Sequence, residues 1–324
     1  VQEVKRDKIK ITKSPSIVSI ILFVILAVLT VVLQPSSASL HWVNLKSSAA
    51  ITLILAALGE TFVLLIGGID LSIAGVISLT NSFSALYMLD SGMSIISVSF
   101  ICMLMGLGIG LLNGFIIQKF NIQPFIVTFS TWFICGGLAY LVLPKDGGKP
   151  PATFTKTLTA NIGGKVNIAL VIIIILIIIW LWFKKTKLGI YLYAVGSNAK
   201  AASLNGINVF GVKMFAYGIS GLLAALAGWY RTAIAGAGSP TAGESFFNQA
   251  IAASVIGGTL LTGGKGGAIG TIFGAFVLKM IADILVFAGV SSYWSTLFQG
   301  ILLIAAVLVS TISEIIKERK EMGA

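Results

Sequence analysis

The chain has 324 residues, of which 57% are hydrophobic and only 10% charged, with a mean hydropathy of +1.01. A soluble chain carries roughly a quarter charged residues, so the solvent here is lipid. The net charge of +11 does not point to nucleic acid: most of the basic residues fall in short loops, and only Arg6, Arg231 and Arg319 are arginine. Membrane lipid is the partner they imply.

Residues 1–16 are polar and basic, and an apolar run at 17–33 follows. That run is longer than the apolar core of a signal peptide, so a retained first span is predicted. Further apolar runs lie at 47–66, 73–89, 95–117, 125–143, 166–183, 213–232, 248–262, 268–288 and 295–312. A span needs about 20 residues; 73–89 is marginal and 248–262 short. The predicted fold is an all-α polytopic membrane protein of about ten transmembrane helices. The transmembrane domain covers 17–312, between a cytoplasmic segment 1–16 and a cytoplasmic tail 313–324.

Charge asymmetry sets the orientation. The segments expected inside carry fifteen basic residues and those expected outside carry five (Lys46, Lys145, Lys149, Lys156 and Lys165). Both termini are therefore predicted to be cytoplasmic. Trp180, Trp182, Trp229 and Tyr230 read as interfacial anchors, and His41 as an interfacial loop residue before Trp42.

In chain order, the ionisable residues at membrane depth come first, because each is costly there unless paired or hydrated. Glu60 faces either the pathway or a neighbouring helix. Asp70, in GGIDLS, is placed to accept backbone N–H groups at the start of the third run, with a ligand contact as the other reading. Asp283, near an external helix end, reads as solvated. With Glu60 and Asp70, the uncharged residues Asn81, Asn113, Thr128, Asn248 and Gln249 are the candidates for the wall of a translocation pathway. Cys102 and Cys135 sit in apolar runs and read as small packing hydrophobes.

Gly106, Gly110 and Gly114 form GxxxGxxxG in the fourth run, and Gly266, Gly270 and Gly274 repeat it around the ninth. Glycines at this spacing let helix backbones approach closely. With ten spans the two runs cross in opposite senses, which predicts an inverted internal repeat. The external segment 144–165 opens with three prolines and paired glycines, which exclude regular structure there. It reads as a docking surface for an external partner or as a solvated connector.

No catalytic constellation or metal-ligand set is present, so no enzyme and no cofactor are predicted for this chain. GGTLLTGGKGG at 257–267 resembles a P-loop but fails at two defining positions: Thr259 replaces the first glycine and Gly266 the Ser or Thr. It reads as a tight turn.

The longest polar stretch between apolar blocks is 184–213, with five lysines and no acid. Asn198 is a candidate N-cap, Ala199 to Leu204 are helix-compatible, and Gly206 falls where the helix would stop. A short helix along the membrane surface is predicted. The run AVGSNAKAASLNGINV resembles the cytoplasmic coupling loop of the ribose-type permease subunits of ATP-binding-cassette (ABC) sugar importers. LIGGIDLSIAG at 65–75 and PTAGESFFNQAIAASVIGGTLLTGGKGGAIGTIFGA at 240–275 agree with it. Lys200 stands where the family's loops usually carry an acid.

The resemblance implies the permease subunit of an importer for a ribose-like monosaccharide in the prokaryotic cell membrane. It implies an ATP-binding cassette subunit that carries ATP and Mg and docks on 184–213, through Gly196, Asn198, Lys200, Ala201, Ala202 and Gly206. It also implies a second permease subunit and an extracytoplasmic sugar-binding protein. The other reading of the residues is a self-contained secondary transporter or channel.

Overall fold

The computed structural model of the protein describes residues 16–287 and six helical positions beyond them, from Trp294 to Leu308. The segment 1–15, most of the tenth apolar run and the tail 313–324 lie outside the described residues. Among the described residues the structure is all-α apart from one small hairpin. Its helices are α1 (Ser16–Leu33), α2 (Leu40–Leu65), α3 (Ser72–Tyr87), α4 (Gly92–Phe120), α5 (Pro124–Val142), α6 (Ala152–Thr159), α7 (Ile168–Phe183), α8 (Lys187–Ser197), α9 (Ala199–Leu204), α10 (Val209–Ala235), α11 (Phe246–Ile256) and α12 (Ala268–Phe287). Each of the first nine apolar runs coincides with one of these helices.

Among the described residues, six helices are long and apolar enough to cross a membrane: α1, α2, α4, α5, α10 and α12. The pair α7 and α8, bent by 77°, makes a seventh if taken as one span. The expected count of about ten is not reached by length, because α3 has 16 residues and α11 only 11.

Burial orders the bundle. The apolar core of α2 is 83% buried, whereas that of α1 is 11% buried. A helix that is apolar all round belongs in the interior or in lipid, and α2 takes the interior. It packs against α10, α11, α12 and α7. α10 packs closely on α4, where a Cβ on Gly106 would run into the Gly221 carbonyl and one on Gly110 into that of Tyr217. Gly114 meets Met214 and Tyr217 of the same helix. Gly270 and Gly274 of α12 do the same against Gly257 and Ala253. Gly266 does not belong to that face. It lies in the turn before α12 with φ +127, because four glycines (263, 264, 266 and 267) all take positive φ and stop the helix from starting earlier.

At the far end, 144–151 is irregular, as the prolines require, and is tied down by paired hydrogen bonds between Gly147 and Gly238. The remainder of that segment is ordered into α6 and a two-stranded hairpin, with Ile162 opposite Val166. Asp283 is not simply solvated: it pairs with Lys46 at 2.5 Å. Trp180 and Tyr230 are packed inside at 5% and 1% exposure, and of the expected anchors only Trp182 is largely exposed. His41 is exposed within the first turn of α2 rather than in a loop.

Candidate functional site

Two groups of residues carry the chemistry. The first is the surface formed by α8 and α9. Thr186 caps α8 by accepting from the Gly189 N–H at 3.2 Å. α8 then lies across the end of the bundle. Asn198 caps α9, its Oδ1 accepting from the Ala201 N–H at 2.9 Å. Gly206 follows at φ +78, ending the short helix. Within α9 the two alanines separate: Ala201 is exposed, while Ala202 is 5% exposed and part of the permease-side core. Lys200 and Ser203 are exposed, and Leu204 is 82% exposed. Leu204 was not singled out from the sequence; a large apolar residue at the end of a polar loop is the signal that marks it.

Three backbones meet behind this surface. The Gly264 N–H donates to the Leu65 carbonyl at 2.9 Å. A Cβ on Gly196 would overlap that same carbonyl and come within 2.6 Å of the Gly264 nitrogen. Gly263 lies close between Gly67 and the Gly196 carbonyl, where an added Cβ would come within 2.8 Å of the Gly67 nitrogen. The Tyr193 hydroxyl donates to the Gly266 carbonyl at 2.9 Å. So the α8–α9 unit is joined directly to the end of α2 and to the 257–267 turn, which is a tight turn with Lys265 exposed. A displacement of α8 therefore meets backbone rather than a flexible side chain at the end of α2.

The second group is the polar interior around the α2–α3 break. Glu60 is fully buried and accepts from the Asp70 N–H at 3.2 Å. Asp70 accepts from the Ser72 N–H at 3.0 Å, from the Ser72 hydroxyl, and from the Ser220 hydroxyl at 2.7 Å. The Ser72 hydroxyl in turn accepts from Asn113 at 2.9 Å, and Thr131 donates to Asn113 at 2.6 Å. Thr128 donates to the Ile69 carbonyl at 3.4 Å. Buried polar groups persist when they are bonded, and this set ties α2, α3, α4, α5 and α10 together.

Asn81 is also internal. It donates to Thr232 at 2.8 Å and accepts from the Ser239 N–H at 2.7 Å. Of the seven pathway candidates, then, Glu60, Asp70, Asn81, Asn113 and Thr128 lie inside the protomer, each at 2% exposure or less. Each makes hydrogen bonds inside the protomer, to helices or to the segments 66–71 and 236–245. Asn248 is exposed and Gln249 half-buried.

The family described as the permease component of branched-chain amino acid transport systems matches residues 46–307. The chain belongs to this family. The permease is 34% identical to the ribose import permease protein RbsC of Haemophilus influenzae, over 90% of this chain and 91% of that one. It is 35% identical to the ribose import permease protein RbsC of Bacillus subtilis, over 88% and 89%. It is 29% identical to the fructose import permease protein FruG of Bifidobacterium longum, over 91% and 90%. No solved structure matches it. The permease is a multi-pass protein of the prokaryotic plasma membrane.

Proposed function

We propose that this permease is the membrane-spanning subunit of an ABC importer for a monosaccharide such as ribose or a related sugar. Relatives of nearly the same length that are named ribose import permeases support the substrate class. ATP and Mg belong to a separate cassette subunit that docks on α8 and α9. A sugar-binding protein delivers solute at the opposite end, and two permease subunits, identical or homologous, enclose the pathway.

In this reading the chain crosses the membrane ten times with both termini inside. α3 and α11 are short crossings, each completed by non-helical backbone, and the tenth is the run at 295–312. Ser16 beside Gly270 puts the start of α1 at the same end as α9, in keeping with the basic charge there. The inverted repeat has support from packing. Exchanging α2 with α10, α3 with α11 and α4 with α12 turns the contact of α10 with α4 into that of α2 with α12. It also turns α10 with α3 into α2 with α11, and α3 with α4 into α11 with α12. All six contacts occur.

The observation that carries the reading is α9: a capped helix with Lys200, Ala201, Ser203 and Leu204 outward, continuous with α8, whose Gly196 meets the Leu65 carbonyl at the end of α2. Docking a helix into a partner's groove rests on a few such side chains. Leu204→Glu or Ala201→Glu should leave a folded, purifiable permease. Retention of the ATPase should fall roughly thirtyfold, the cost of losing a hot spot worth about 2 kcal/mol. Lys200→Ala should have little effect, since rim charges mainly steer association. Ala202→Glu should instead damage the permease itself, because that side chain is internal. Co-purification of the ATPase with uptake measurements decides it: a Leu204→Glu subunit that holds its ATPase and transports normally overturns the assignment.

A further inference from the structure

The segment between α10 and α11 descends the side of α3. Gly147 and Gly238 pair at the outer end, where Gly238 lies against Ala85. One turn deeper the Ser239 N–H donates to Asn81 at 2.7 Å, and deeper again the Gly243 N–H donates to Ser78 at 3.0 Å. Gly243 then touches Ala74 so closely that a Cβ would overlap its carbonyl. From Ala74 to Tyr87 is 13 residues of helix, about 20 Å of descent at 1.5 Å per residue. From the other end, the 11 residues of α11 rise about 17 Å above the 257–267 turn. Both measures put Glu244 near the middle of a hydrocarbon layer about 30 Å thick.

Glu244 is exposed at that depth, and no ion pair reaches it among the described residues. Ser245 and Asn248 are exposed beside it. Phe247 and Ile251 complete the outward side, and Phe247 lies against Trp132 of α5 with ring centroids 4.8 Å apart. A second charge sits close by: Lys279 of α12 is 5.8 Å from the centre of the Phe246 ring and is also without an ion pair among the described residues. Neither a free carboxylate nor non-helical backbone is stable against lipid at this depth; both occur where a water-filled cavity or protein meets them.

We propose that Glu244, Ser245 and Asn248 line the solvated translocation pathway and contact the passing solute, with Phe247 and Trp132 as an apolar platform beside them. This rests on the permease reading and adds the solute-facing wall to it. A carboxylate, a hydroxyl and an amide around aromatic faces suit a neutral polyhydroxylated solute. Each hydroxyl finds a donor or acceptor, C–H faces find the rings, and an anionic solute meets repulsion.

The test uses the whole importer in proteoliposomes. Glu244→Cys and Asn248→Cys should react with a charged, membrane-impermeant methanethiosulfonate, and ribose delivered by its binding protein should slow that reaction. Val28→Cys on α1 and Ile178→Cys on α7, both on exposed apolar faces, should stay unreactive, and the chain's own Cys102 and Cys135 are buried. Glu244→Gln should lower the uptake rate about tenfold, the cost of exchanging a charge-assisted hydrogen bond to the solute for a neutral one. If Glu244→Cys does not assemble, Ser245→Cys gives the milder probe of the same wall. No reaction with or without ATP and solute, or a spontaneous disulfide between two copies that excludes the reagent, overturns the proposal. ATPase retention by the wild type is read separately, so failure of the importer reading and failure of this wall are distinguishable.

Discussion

The α2–α3 break and the α10–α11 break are both non-helical backbone inside the bundle, yet they treat their carboxylates in opposite ways. At 66–71 the chain folds its acids inward: Asp70 is held by Ser72 and Ser220, and Glu60 closes over the Asp70 N–H. At 236–245 the backbone is tied to α3 through Asn81 and Ser78, and the acid, Glu244, is left outward. Side chains of α3 satisfy the second break, so its own carboxylate is free. The first break uses its carboxylate as the acceptor that satisfies the backbone. A buried, bonded acid holds helices together, and an exposed acid without an ion pair is available to a solute.

The contrast can be broken most severely at Gly243. Its close approach to Ala74 fixes the second break against α3, and a leucine there has no space to enter. Gly243→Leu should abolish recovery of assembled permease, because overpacking a backbone contact forces the whole segment away. Gly108, which is exposed and has nothing within 4 Å of an added Cβ, should take the same change with little loss. Size-exclusion yield of the two variants side by side checks this; equal recovery would mean that the loop is not held where it lies.

A smaller but still large effect is expected at the first break. Asp70→Ala removes the acceptor for the Ser72 N–H, the Ser72 hydroxyl and the Ser220 hydroxyl. Orphaned buried donors cost about 1–3 kcal/mol each, and partial rearrangement should leave a net loss of about 3 kcal/mol. Thermal unfolding in detergent should show a clearly lowered midpoint. An unchanged midpoint would show that these bonds contribute little and that the two breaks are alike.

Much of this architecture was legible in the sequence. Some helix ends were, because caps and breakers act locally: Asn198 and Gly206 bracket α9. So was the α4 glycine face, whose spacing alone fixes one side of a helix. Which way a residue faces was not. Lipid and protein interior are equally apolar, so hydropathy does not separate the lipid-facing side of a span from its packed side. That is why Asn113 and Asn81 read as pathway residues although they hold helices together. Ala202 was misplaced for a related reason: a six-residue helix of small side chains carries no amphipathic pattern. Glu244 was missed because depth is a tertiary property. In sequence it lies in a polar stretch between two apolar runs, and only the contacts with α3 carry that stretch into the bundle.

The mildest expected change sharpens the comparison from within the first break. Glu60 is fully buried, and its carboxylate accepts one N–H, that of Asp70, at 3.2 and 3.4 Å from its two oxygens. Both distances are long for a charge-assisted bond, so little stabilisation is lost if the acceptor becomes a neutral amide oxygen. Gln keeps the shape of Glu and keeps that acceptor. Because the side chain is fully buried, we expect it to hold the break and not to exchange protons with either side of the membrane. Glu60→Gln should therefore fold normally, lose at most about 1 kcal/mol of stability, and support uptake within about twofold of wild type, with no new dependence on a proton gradient. Uptake in proteoliposomes, with and without a protonophore, measures it. Abolished uptake with intact assembly would mean that the buried acid takes part in transport, and the division between a structural break and a solute-facing one would fail at its first member.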